Sequence, residues 1–418
     1  MASSAAPVSP ADAQGDRSRT DLINRVVRAL DFARAATEPV LNDPRVSTLG
    51  LPQEKFVAET ALLLYCVAPI APLDPRIARA IDDLAQAILP HARSDENRGA
   101  ICLDPGHALD HAFAHILLGS IGYRDAAMDA LLAESLTFEA APERLPHRLL
   151  EQSWLRNICQ RTAGVRPDRS LSIDGSMLAR PVDALRATRF DHYGFTHAAM
   201  YASDFGAEPV APDPAVTADA NAIAALAFAL ATVDHDLAAE VLMTWPLLRL
   251  SWPPAASIAF EWLARTEDQR GFLTGRGFDP SCHDALFGDD RRHYAIVSCY
   301  HTIYVMAFLC ASMLRFDCPP PGRTVDDPGA WDGIAGIASM ARLVALSDRK
   351  EIEAIGPLLL TMALRDATEK FDLPGLRAAL QFALDHDLTT VLAARQAAAL
   401  MRRAALLDVH RPTMLVPR

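Results

Sequence analysis

Three histidines at four-residue intervals, His107, His111 and His115, stand in the segment CLDPGHALDHAFAHILLGSIGY. Four residues of α-helix advance about 400°, so each imidazole is turned only about 40° from the last and the three form one slanting stripe. Asp110 borders the same face, and Asp104 precedes the segment. Imidazoles four apart can present two nitrogens to one divalent ion, and an aspartate can add oxygen ligation. His107, His111, His115 and Asp110 are therefore the candidate metal ligands, although HxxxH also arises by chance and HExxH is absent.

Two further segments carry the same theme. FDHYGFTHAAMYASDFG places Tyr193, His197 and Tyr201 four apart, with Asp204 three later and Asp191 and His192 at its start. HYAIVSCYHTIYVMAF carries His293, Tyr300, His301 and Tyr304. Burying imidazoles and phenols costs free energy unless each finds a partner or a wet cavity. Three such helices point to one shared polar cavity; the alternative is a set of structural histidines, each satisfied locally.

Within a shared site three chemistries stand side by side. One is divalent metal binding. The second is metal-free acid–base catalysis, with His197 and His301 moving protons, Tyr193, Tyr201 and Tyr304 as donors, and Asp191 or Asp204 orienting an imidazole. The third is a porphyrin on an axial histidine, for which no attachment motif exists. Cys299 lies two residues before His301, about 200° away on a helix, so the two form no local dyad. No GxSxG elbow, P-loop or GxGxxG fingerprint occurs in a fitting context, which disfavours nucleotide hydrolysis and dinucleotide redox.

The elements that would position these groups are helices. Apolar residues recur at three- and four-residue spacing, and no stretch alternates with period two. Helices are predicted at 21–37, 54–68, 75–90, 106–120, 124–136, 146–161, 181–204, 217–231, 235–249, 254–266 and 292–316, then at 333–346, 350–369, 373–386 and 388–407. Prolines such as Pro52, Pro75, Pro214, Pro253 and Pro374 fall at the predicted starts, where a missing N–H is harmless. Residues 206–217 and the glycine-rich 271–292 read as long loops, the second leading through FGDDRRHY into the third His/Tyr helix, where it could act as a lid.

Residues 255–273, AASIAFEWLARTEDQRGFL, resemble the repeating unit of α/α-toroid proteins such as terpenoid cyclases and protein prenyltransferases. There an amphipathic helix ends in a polar turn and a Gly-Phe pair, matched here by Trp262, Leu263, Asp268, Gly271 and Phe272. The resemblance implies an all-α, toroid-like array of helical hairpins. It covers one unit, and the aspartate-rich motifs of terpenoid cyclases have no counterpart: Asp82-Asp83 lacks a further partner and Asp234-His235-Asp236 is interrupted by a histidine. That chemistry is not carried over.

The expected organisation is a disordered tail at 1–20, a helical domain with a central polar cavity at 21–316, a Pro/Gly-rich linker at 317–332 and a C-terminal helical extension at 333–418. Half of the 418 residues are apolar and 22% are charged, enough for a sizeable core. A net charge of −12 without a basic stripe argues against nucleic acid. Seven cysteines without a CxxC pair suit reduced core thiols, and the polar start is no signal peptide, so a cytoplasmic protein is expected. Residues 297–316 are long and apolar enough to raise the membrane question, but Ser298, His301, Thr302 and Arg315 favour a buried central helix. Arginine-rich, lysine-poor composition resembles that of a GC-rich bacterial genome. The leading expectation is an enzyme, a lyase, cyclase or hydrolase of small molecules or peptides, using His/Tyr/Asp acid–base chemistry with or without a metal, in specialised metabolism by analogy of fold. The alternative is a non-catalytic helical scaffold that binds a partner or small ligand. Oligomeric state is left open.

Overall fold

The computed structural model describes residues 10–138, 143–167, 173–210, 214–320, 340–346 and 348–409. The fold is all-α, with no strand among these residues. The helices are α1 (Pro10–Asn42), α2 (Pro44–Thr48), α3 (Gln53–Val67), α4 (Pro75–Ala92), α5 (Asp95–Leu103), α6 (Ala108–His111), α7 (Phe113–Ser120), α8 (Ala126–Ser135), α9 (Pro146–Thr162) and α10 (Arg189–Ala202). They continue with α11 (Pro214–Ala231), α12 (His235–Leu242), α13 (Thr244–Leu247), α14 (Pro254–Arg270), α15 (Pro280–Ala285), α16 (Gly288–Phe316), α17 (Met340–Ala345), α18 (Arg349–Glu369), α19 (Leu373–Asp385) and α20 (Leu392–Val409).

Local chemistry sets most boundaries. The side chains of Asp74, Ser94, Asp125, Asp234, Asp279, Asp348 and Asp372 each accept a backbone N–H of the first turn that follows, relieving the donors a helix start leaves unpaired. Thr188 and Asp191 form a reciprocal capping box at the start of α10. Helix α14 stops at Gly271, whose φ of 82° is left-handed.

Helix α16 is the hub. It packs on α1, α3 and α12, and nearly all of it from Cys299 to Leu314 is buried. Both this helix and Gln53–Leu73 are apolar and long enough to cross a membrane; 83% of the apolar window in Gly288–Phe316 is buried inside the protein. The contacts run in a circuit: α16 on α3, α3 on α7, α7 on α9, α9 on α10, α10 on α12, and α12 back on α16. Helices α1, α4, α11 and α14 lie against members of this circuit. The C-terminal helices α18 and α20 pack on α11, and Gln396 of α20 bonds the backbone at Val182 and Ala184.

Several boundaries differ from the sequence expectation. Helix α1 begins at Pro10, so the second half of the expected tail is helical, while residues 1–9 lie outside the described residues. Of the expected linker, 321–332 lies outside them too. The predicted helix at 181–204 starts only at Arg189, because the backbone at 182–186 is bonded by side chains of Asn221, Gln396 and Asp183 instead. The 271–292 loop contains α15, and FGDDRRHY forms the first turns of α16. Its Gly275 is held so close to α16 that a Cβ there would sit 2.1 Å from the carbonyl oxygen of Ser298.

Candidate functional site

Helix α12, HDLAAEVL, is short, wholly interior and carries two acids where an apolar helix should have none. Asp234 caps it and accepts Nε of Arg189 at 2.6 Å. Asp236 and Glu240 follow, one turn apart on the same face, only 5% and 3% exposed. Buried carboxylates are tolerated only when paired, so their partners define the site.

Those partners come from two other helices, and a third stands behind one of them. On α10, Tyr193 donates to Oδ2 of Asp236 at 2.5 Å and Thr196 donates to Oε2 of Glu240 at 2.6 Å. On α16, Nε2 of His301 stands 3.6 Å from Oδ1 of Asp236. Nε2 of His197, on α10, stands 3.6 Å from Oε1 of Glu240. The other ring nitrogen of His301 bonds Oε2 of Glu59, on α3, at 2.9 Å. Each α12 carboxylate thus has one oxygen fixed by a hydroxyl and the other turned towards an imidazole. Oδ1 of Asp236 is buried without a hydrogen-bond partner. Among the described residues, Asp236, Glu240 and His301 form a group that could hold a metal ion, each offering one ligand atom within 4.8 Å of the others.

Charge and burial act in opposition here. Burial disfavours a charged imidazole at His301, but Asp236, Glu59 and Glu240 outweigh it and push the ring up to about 10. Burial, with Glu240 and Asp234 adding to it, raises Asp236 against the pull of His301. Glu59 moves the other way: burial resists, and His301 and Lys55 hold it below the usual carboxylate range. Burial and the adjoining carboxylates drive the phenols of Tyr193 and Tyr201 far above their ordinary value. They stay neutral, serving as fixed donors and not as proton sources. Tyr201 donates to Glu151 at 2.6 Å, and Arg148 completes that pair. The cluster reaches solvent through His301 and His197, whose side chains are 39% and 25% exposed. The ring of His147 lies 5.7 Å from that of His197, centroid to centroid.

The structure therefore places His197 and His301 against neighbouring carboxylates, with Tyr193 and Tyr201 beside His197. It engages the other predicted groups elsewhere. Tyr304 is fully buried and bonds Thr60. Asp191 serves the α10 cap. Asp204 accepts from Tyr65, Trp154 and Arg161 at 2.6, 2.5 and 2.5 Å.

The proposed ligand stripe is not a shared ligand set. Its helix is interrupted at Ala112, where ψ is 3°, between α6 and α7. His107 and His111 both turn to Asp104, at 3.0 and 3.4 Å. His115 is buried between Arg93 and Asp129, beside a cavity of about 340 Å³ walled mainly by apolar groups. Asp110 accepts from Arg144 and Gln152. No hydrogen bond or ion pair among the described residues joins these four to Asp236, Glu240 or His301.

Sequence reasoning missed Asp236, Glu240, Glu59 and Glu151. One signal could have found them: a lone carboxylate inside an apolar helical run, as in DLAAEVL and VAETALLL, is an anomaly that demands a partner.

No curated protein and no solved structure matches the chain. A family described as a domain of unknown function, DUF6895, matches residues 20–311, which carry the whole circuit of helices except the end of α16. The match spans well over half of the chain, and the protein belongs to the DUF6895 family.

Proposed function

We propose that the protein is an enzyme acting on a small molecule or peptide by acid–base chemistry at the His197–Glu240–Asp236–His301 cluster, as a lyase, cyclase or hydrolase. One observation carries this reading: imidazoles from two helices, partly open to solvent, face two buried carboxylates whose outer oxygens are already fixed. Here Nδ1 of His197 is left without a partner, and its ring lies at the rim.

In this reading His197 moves the proton, because its ring is partly open to solvent and faces Glu240. His301, clamped by Glu59, supplies fixed positive charge towards a developing anion. Tyr193 and Thr196 hold the acids in place. The closed circuit of helix contacts supports a toroid-like arrangement with the cluster on its inner side, where helical arrays commonly place ligands.

The test is turnover of an untargeted metabolite extract followed by mass spectrometry, comparing wild type with His197→Gln. A species consumed by the wild type and spared by the variant supports the proposal. Equal profiles from both proteins and from a buffer control refute it, and leave a helical scaffold as the better account.

A further inference from the structure

We infer that Asp236, Glu240 and His301, with His197 beside Glu240 at their edge, form a binding site for one divalent cation of the zinc class. The inference goes beyond the enzymatic reading, since a bound ion could serve catalysis or only structure.

The first argument is geometric. Two ligands that share an ion through bonds of about 2.1 Å at a tetrahedral angle stand about 3.4 Å apart. His301 Nε2 to Asp236 Oδ1 and His197 Nε2 to Glu240 Oε1 are both 3.6 Å. The His301–Asp236 separation is too long for a good hydrogen bond and right for a shared ion, while the His197–Glu240 pair flanks it. Ligand atoms of Asp236, Glu240 and His301 also all lie within 4.8 Å of one another.

The second argument is the orphaned oxygen. Asp236 is 5% exposed, and its Oδ1 has no hydrogen-bond partner while facing the imidazole. Its 3.6 Å ion pair with His301 leaves that buried acceptor without a hydrogen bond, which is costly, and a metal ion that displaces the Nε2 proton would bond both atoms. A cation supplies what it lacks.

The third is the surrounding shell. Every proposed carboxylate ligand has its second oxygen held by a hydroxyl, Tyr193 for Asp236 and Thr196 for Glu240. The distal nitrogen of His301 is held by the Glu59 carboxylate. A carboxylate behind a ligating histidine fixes the tautomer and aims the lone pair, which is how metal sites are commonly organised. The mixed imidazole–carboxylate donor set suits a borderline ion better than magnesium or calcium, which prefer oxygen alone.

The test is zinc binding to the full chain after chelator treatment and desalting, read by calorimetry and by thermal unfolding. The expected result is saturation near one ion per chain with a raised Tm, and loss of both in Asp236→Asn. His197→Gln, at the partly exposed edge, serves as a second variant with weakened binding should Asp236→Asn fail to fold. Absence of a Tm shift and of a saturable heat in the folded wild type would overturn the inference, as would unchanged binding in both folded variants. No substrate enters this experiment, so zinc binding by a catalytically silent protein refutes only the enzymatic reading, and turnover by a protein that takes no zinc refutes only this one.

Discussion

Nδ1 of His301 lies 2.9 Å from Oε2 of Glu59, although 242 residues separate the two in the chain. The contact joins α3 to α16 at the hub of the fold. It leaves Nε2 of His301 as the atom directed at Asp236. Glu59 therefore fixes the orientation of the His301 ring.

Replacing Glu59 with glutamine keeps the shape and removes the charge behind the ring. The circular dichroism spectrum should be unchanged, while zinc affinity measured by calorimetry should fall by about 10–100-fold. Undiminished affinity would show that the Glu59–His301 pair only ties two helices together.

His192 lies behind the site, fully buried, with its ring 4.9 Å from that of Phe228 and neither nitrogen hydrogen-bonded. Burial, reinforced by Arg365, holds its pKa down at about 4 against 6.5 unfolded. Between those values the unfolded chain binds the extra proton, so stability falls as pH drops through 6.5 and is unaffected above it. The His192 contribution lost between pH 7.5 and pH 5 is about 2 kcal/mol, read as the difference between wild type and variant. Urea unfolding at both pH values checks it: His192→Phe should flatten this part of the dependence, and an equally steep variant would assign the acid sensitivity to other groups.

Asp204 sits in the left-handed region, with φ of 48°, and gathers donors from Tyr65, Trp154 and Arg161. Asp204→Ala strands a buried indole N–H and an arginine, and should cost about 3–5 kcal/mol in urea unfolding. Tyr65 and Trp154 belong to α3 and α9, so the defect should also loosen their packing, visible as changed tryptophan emission. A loss below about 1 kcal/mol would mean that solvent replaces the carboxylate easily.

His107 and His111 are 42% and 32% exposed and share only Asp104. Changing both to alanine should alter stability by no more than about 0.5 kcal/mol per site and leave zinc stoichiometry unchanged. A lost ion in this double variant would return the metal site to the α6 stripe.

The helices were legible in the sequence because helix signals are local. Apolar spacing, an aspartate or serine cap and a first-turn proline lie within a few residues of one another, and they place α3, α4, α9, α14, α18 and α19 to within a few positions. The same spacing singled out His197 and His301, since polar rings stand out on apolar faces. It misled at His107, His111 and His115, where an ideal 3.6-residue period was assumed through a break at Ala112. It also passed over DENRGAICL, the polar α5, which lacks an apolar stripe.

What the sequence determined by itself was the helical class and the presence of imidazoles and phenols that had to be satisfied. Which groups satisfy them was decided only by tertiary structure. Asp236, Glu240 and Glu59 stand out only as acids in apolar runs, and their partners are set when α3, α10, α12 and α16 pack side by side. The physical reason is that a buried charge chooses its partner across space, by distance and desolvation, and leaves no periodic trace along the chain.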